Sequence, residues 1–139
     1  MPMLIYEDVG KALEWLCGAF GFTERLRAPG ADGNITHAQL AVDEGAIMLG
    51  AARPGFRPPH ANEVSHYVHV HVENVDRHFE NAKRFGARIV NLPTDHPFGE
   101  RQYTAEDPEG HWWTFSQSVA DVAPEEWGAI PASPADGPK

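Results

Sequence analysis

Cysteine is almost absent from this 139-residue chain: Cys17 stands alone, which excludes an internal disulfide and points to a reducing, cytoplasmic setting. Basic residues are scarce too, 11 Lys and Arg against 20 Asp and Glu, for a formal charge of −9. Such a field repels phosphate backbones and anionic lipid, and no Lys/Arg cluster offsets it, so nucleic acid is not an expected partner. Long apolar runs are missing. The longest, around residues 46–52, is about seven residues, against the roughly 20 that a helix needs to cross a bilayer. The opening Met1-Pro2-Met3-Leu4-Ile5-Tyr6-Glu7-Asp8 lacks a basic segment followed by an apolar one, so neither an export signal nor a membrane partner is expected. What is present is ordinary globular material, 42% hydrophobic and 22% charged, in a length suited to one core.

The pattern of apolar residues occurs twice. Residues 3–6, 9–20, 23–28, 35–42 and 46–51 read as strand, helix, strand, strand, strand. Val9, Leu13, Leu16, Cys17 and Phe20 fall at helical spacing, Asp8 caps the first turn, and Gly21 sits where a left-handed stop is wanted. After a loop with three prolines and a glycine the order recurs at 66–72, 75–85, 88–92, 101–105 and 112–118. There Val75, Phe79, Ala82 and Phe85 form one stripe between the cap Asn74 and the stop Gly86. The expected architecture is α+β: two βαβββ modules forming a curved mixed sheet within a single domain over 1–128. Module one spans 1–52, a linker 53–63 and module two 64–118. Pro124-Glu125-Glu126-Trp127 reads as one helical turn, and 129–139 as a flexible tail rich in Pro, Ala, Ser and Gly.

Three local signatures accompany the repeat. Asp8-Val9 with Ala12-Leu13 and Phe20-Gly21-Phe22 marks the first helix, and Val72-Glu73-Asn74-Val75-Asp76 through Phe85-Gly86-Ala87 marks the second. Asp107-Pro108-Glu109-Gly110 precedes the apolar strand His111-Trp112-Trp113-Thr114-Phe115; proline presets this turn and glycine supplies positive φ. Together they resemble the vicinal-oxygen-chelate superfamily, which groups glyoxalases, bleomycin resistance proteins and dioxygenases. Asp121-Val122-Ala123-Pro124-Glu125-Glu126 resembles the tail of its PhnB-like or glyoxalase-like subgroup.

That resemblance implies a metal position on the first, fourth, fifth and eighth strands, filled in metal-dependent members by His, Gln or Glu. Counting from the signatures puts those positions at Met1, Met48, Tyr67 and Thr114. None offers a carboxylate or imidazole to a hard or borderline divalent ion, so no metal and no other cofactor is expected. The resemblance also implies a homodimer that buries sheet edges and apolar loops.

Eight histidines invite closer reading. On the fifth strand, alternation turns Val68, Val70 and Val72 to the helices and Tyr67, His69 and His71 to the concave face. His69 and His71 could chelate a displaced ion if His37 reached them, or serve as polar wall groups that hydrogen-bond a ligand. His60, His78, His96 and His111 read as solvated or loop residues. On the eighth strand Trp112, with Thr114, faces the cavity and Trp113 the core. Met48, His37 and Gln39 could add to the cavity wall or rim; Arg101 and Tyr103 could reach its mouth, a solvated arginine being the alternative. A cup of aromatic and imidazole groups suits metal-independent binding of a small planar or cationic organic ligand, as in drug sequestration of the antibiotic-resistance type. The alternative is a glyoxalase-like lyase or isomerase in which His69, His71 and Tyr67 act as acid and base or hold a displaced metal.

Overall fold

Both halves of the sequence alternate apolar and polar residues in the same order, and they fold the same way. In the computed structural model, which describes residues 1–132, the first copy runs β1 (Met3–Tyr6), α1 (Val9–Phe20), β2 (Thr23–Pro29), β3 (Ile35–Val42) and β4 (Gly45–Ala51). The second runs β5 (Val68–His71), α2 (Val75–Arg84), β6 (Arg88–Asp95), β7 (Glu100–Glu106) and β8 (Trp112–Ser118), followed by a 3-10 turn at Pro124–Trp127. The sheets are separate and mixed, with orders β1-β4-β3-β2 and β5-β8-β7-β6. In each, the first strand is parallel to the last and the other pairs are antiparallel. The fold is α+β as expected, with two βαβββ modules that each form one four-stranded mixed sheet. β5 starts two residues later than the pattern suggests: its ladder with β8 opens at Val68 opposite Trp113, and His66 and Tyr67 lie before it. Of the tail expected over 129–139, residues 133–139 lie outside the described residues.

Local chemistry sets the helix limits. Asp8 accepts from the Lys11 amide and Asn74 from the Arg77 amide, each satisfying an orphan donor of the first turn. Gly21 ends α1 in the left-handed region at φ 76°, and its amide donates to the Cys17 carbonyl. The remaining carbonyls at that end are capped by the other module. Asn81 Nδ2 donates to the Gly18 and Ala19 oxygens, and His78 Nε2 to Phe20 O at 2.8 Å. In return Trp15 Nε1 donates to Phe85 O at the end of α2. All four carbonyls that a helix leaves unpaired thus find donors. Phe85 is not in the buried stripe of α2; it is half exposed and lies over Gly18, where a Cβ would meet its ring at 2.6 Å.

His78 departs from the solvated reading. Its ring lies 4.1 Å from that of Phe115 and is largely buried, with Nδ1 bonded to the Tyr103 hydroxyl. A carbonyl can only accept, so Nε2 carries a proton toward Phe20 O, and in the neutral ring Nδ1 accepts from the Tyr103 hydroxyl. Burial holds its pKa below the ordinary histidine value. The unfolded chain therefore takes up a proton first as pH falls through about 6.5. Stability contributed by neutral His78 is complete above that pH and lost below it, by up to about 1.4 kcal/mol per pH unit. Denaturant titrations between pH 7.5 and 5 are expected to show this loss in the parent and a flatter profile in His78→Gln; parallel profiles would contradict it.

The Asp-Pro-Glu-Gly turn joins the modules. One Asp107 oxygen accepts from the Glu109 and His111 amides, and the other from the Tyr6 hydroxyl and from Trp113 Nε1 at 3.1 Å. Burial pushes this carboxyl above the ordinary range, against the pull of Tyr6, His111 and Trp113. His111 is buried rather than solvated, because Nε2 donates to Ile5 O at 2.7 Å and its ring packs on Tyr6. Phe20 and Phe22 of module one meet Trp113 and Phe115 of module two, so one apolar core runs through both halves.

Candidate ligand-binding site

Strand parity divides β8 cleanly. Trp113 and Phe115 are fully buried against the helix side, and Trp112, Thr114 and Ser116 take the opposite, open face. Register sets Glu106 across from Trp112, Thr104 across from Thr114, and Gln102 across from Ser116. Each pair is hydrogen-bonded. Trp112 Nε1 donates to Glu106 Oε1 at 3.0 Å, the two threonine hydroxyls are 2.8 Å apart, and Gln102 Nε2 donates to Ser116 Oγ at 3.4 Å. Ser116 donates its own proton to Glu100 Oε1. The Arg88 guanidinium holds the Glu106 carboxyl below its usual range, which keeps it an acceptor for the indole.

A cavity of about 450 Å³ lies over this face. Tyr67, Trp112 and Leu92 supply its apolar walls, and Thr94, Gln102, Thr104 and Thr114 its polar ones. His96 stands at the rim, stacked on Phe98 at 5.1 Å, and Phe98 meets Trp127 edge-on at 5.5 Å. The segment after β8 is tied there too, since the Val119 and Ala120 amides donate to Gly99 O. Gly99 has φ 87°, and a Cβ on it would stand 2.2 Å from the Ala120 carbonyl, so only glycine fits.

Of the residues expected at the site, the structure brings Tyr67, Trp112 and Thr114 to this cavity. His69 and His71 share its face, paired in register with Thr114 and Ser116, but they are exposed and do not line it. Met48, His37 and Gln39 lie on the first sheet, on the face away from Ala38, Leu40 and Leu49, with Gln39 opposite Met48. Tyr103 does not reach the mouth through its side chain: it is fully buried beside Phe79 and Phe115. Arg101 shares that parity and is held by Asp76 and Asp95 at 3.1 Å. The residues that sequence reasoning missed are Asn91, Leu92, Thr94, Gln102 and Thr104, together with His96, which had read as solvated. The alternation of Gln102 and Thr104 with Tyr103 and Ala105 carried the signal.

The four positions that the family resemblance assigns to metal ligands hold side chains that do not suit a divalent ion. Met1 precedes β1, Met48 offers a thioether on one sheet, and Tyr67 and Thr114 offer a phenol and an already bonded hydroxyl on the other. Among the described residues no three His, Cys, Asp or Glu side chains group as a metal site would require.

Known proteins share this fold. Residues 1–115 match the model of the glyoxalase/bleomycin resistance protein/dioxygenase superfamily. The uncharacterized protein Rv0887c of Mycobacterium tuberculosis is 31% identical over 98% of this chain and 84% of its own length. TioX from Micromonospora sp. ML1 superposes with a TM-score of 0.70 at 37% identity, covering 84% of this chain and 95% of that one. The fosfomycin resistance protein FosX from Listeria monocytogenes shares the fold, with a TM-score of 0.64 at 13% identity over 84% of this chain and 89% of its own. No helix among the described residues is long and apolar enough to cross a membrane. Duplicated modules, the turn before β8 and the family match agree, and the chain belongs to the glyoxalase/bleomycin resistance protein/dioxygenase superfamily.

Proposed function

We propose that this protein reversibly binds a small planar organic cation on the open face of its second sheet, without a metal, in the manner of a drug-sequestering member of its superfamily. The observation that carries this reading is the make-up of the 450 Å³ cavity. Two aromatic rings and a leucine face a row of neutral hydroxyl and amide groups, and among the described residues no carboxylate, lysine or cysteine lines it. Apolar walls with a few placed polar groups suit a small ligand, and the net charge of −9 steers cations toward the molecule. The acid and base reading of His69, His71 and Tyr67 has less support, since both imidazoles stand outside the cavity.

The protein also acts as a homodimer in this reading. Met3 on edge strand β1, Leu92 on edge strand β6, and Tyr67 just before β5 are exposed apolar groups at unpaired sheet edges. Titration with 9-aminoacridine, followed by ligand fluorescence, tests the site. One saturable equivalent per chain is expected, with affinity weakened about 5- to 150-fold in Trp112→Ala, the loss of one stacked ring. In-line light scattering is expected to give the mass of two chains. Binding that ignores Trp112→Ala would remove the proposal.

A further inference from the structure

We infer that Gln102 turns its carbonyl oxygen to the ligand, so that the site selects planar cations bearing an N–H donor, and that Glu100 sets this polarity through Ser116. The inference rests on the binding reading above and assigns a chemistry to it.

Counting protons along the ladder leads there. Glu100, Gln102 and Thr104 alternate on one face of β7, and Ser116 sits across from Gln102 on β8. A carboxylate oxygen only accepts, so the Ser116 hydroxyl spends its single proton on Glu100. Its oxygen then has lone pairs alone to offer Gln102, which must present its NH2 group to them. The reversed amide would set oxygen against oxygen with no proton between. Ser116 is buried, so no solvent molecule relaxes this choice. The amide of Gln102 is thereby fixed with one Nε2 proton on Ser116 and Oε1 on the other side of the amide, on a residue that lines the cavity.

The neighbouring groups sharpen the selection. The Trp112 N–H is taken by Glu106, so that indole offers a ring face and no donor. Thr104 and Thr114 bond each other and share one bond between two hydroxyls. Gln102 Oε1 is therefore a fixed acceptor of the cavity, beside the Thr94 oxygen whose proton goes to Leu92 O, and it alone stands one hydroxyl removed from the negative charge of Glu100. A planar cation with an N–H in its ring plane satisfies the oxygen and feels that charge. A cation of equal size and charge without an N–H leaves the oxygen unpaired once water is displaced, the costly case.

Two probes separate these effects: 9-aminoacridinium, which carries N–H donors, and 10-methylacridinium, which has the same ring and charge and none. Affinities for both are measured in the intact protein, in Gln102→Leu and in Glu100→Gln. The intact protein is expected to prefer 9-aminoacridinium by about fivefold or more, and Gln102→Leu to bring the ratio close to one. In Glu100→Gln the new amide can donate to Ser116, whose proton is then free to turn toward Gln102. The amide reverses, and the ratio falls although Gln102 is intact. Loss of the Glu100 charge weakens both probes alike and cancels in the ratio, which a merely structural role of Glu100 would not move. Equal affinities in the intact protein, or a ratio untouched by Gln102→Leu, overturn the inference and leave the binding reading standing. A ratio untouched by Glu100→Gln overturns the relay. Failure of both probes to bind overturns the inference and the binding reading together.

Discussion

Trp113→Ala is expected to lower the stability of the fold by about 3–5 kcal/mol, while Trp112→Ala costs clearly less and instead weakens ligand binding. The two tryptophans are adjacent in sequence and face opposite sides of one strand. Trp113 has no exposed surface, touches Phe20 and Phe22 at centroid distances of 5.7 and 5.2 Å, and donates its indole proton to Asp107. Truncating it opens a large cavity at the junction of the modules and strips a donor from a buried carboxylate. Trp112 is half-buried on the open face, and its indole bonds an exposed-side carboxylate that Arg88 still holds after the ring is gone. Urea unfolding of both variants, with 9-aminoacridine titration alongside, measures the contrast. The reverse order, Trp112→Ala unfolding the chain and Trp113→Ala only losing ligand, would mean that the ligand sits on the helix side of the sheet.

Asp107→Ala is expected to cost a comparable amount, about 3–5 kcal/mol, the range for breaking a buried charged network. Four donors converge on this carboxylate, and two of them, Tyr6 and Trp113, belong to different modules. Burial alone raises the carboxyl's pKa, so the group is costly to keep and costlier to remove, because its removal leaves buried N–H and O–H groups without partners. Asp107→Asn keeps the size but turns an NH2 toward two donors, so it recovers little of the loss. Thermal unfolding is expected to fall by more than about 10 °C in both variants. A fall of only one or two degrees in Asp107→Ala would show that the turn geometry, and not the carboxylate, holds the modules together.

Much of this was legible because it is local. Asp8, Asn74 and Gly21 act within a turn of their own backbone, and Gly110, at φ 94°, closes the turn that Pro108 begins. Alternation along β8 placed Trp112 and Trp113 on their faces, because period two needs no knowledge of the partner strand. What failed depends on distant partners. His78 looked like a polar helix residue, yet its ring answers the carbonyl of Phe20, 58 positions away, and His111 answers Ile5 across 106. Nothing near either residue carries that information. Tyr103 and Arg101 were considered for the mouth of the site from their nearness to the turn. The register that pairs Tyr103 with Phe115 sends them to the other side and brings Gln102 and Thr104 forward instead. His37, Gln39 and Met48 lie on the paired strands β3 and β4 of the first sheet, and that keeps them out of the cavity around Trp112 on the second.

The reciprocal capping between the helices bears on how far a duplicated half can stand alone. Severed in the 53–63 linker, the first half would keep its helix but lose the donors of Asn81 and His78 for three of that helix's last carbonyls, and would bare Phe20 and Phe22 to water. The second half would lose the Trp15 donor to Phe85 and the Tyr6 hydroxyl from Asp107. Repetition in the sequence is thus no longer autonomy in the protein: the copies have exchanged so many end groups that neither retains a complete set, and a stop within the linker discards both halves at once.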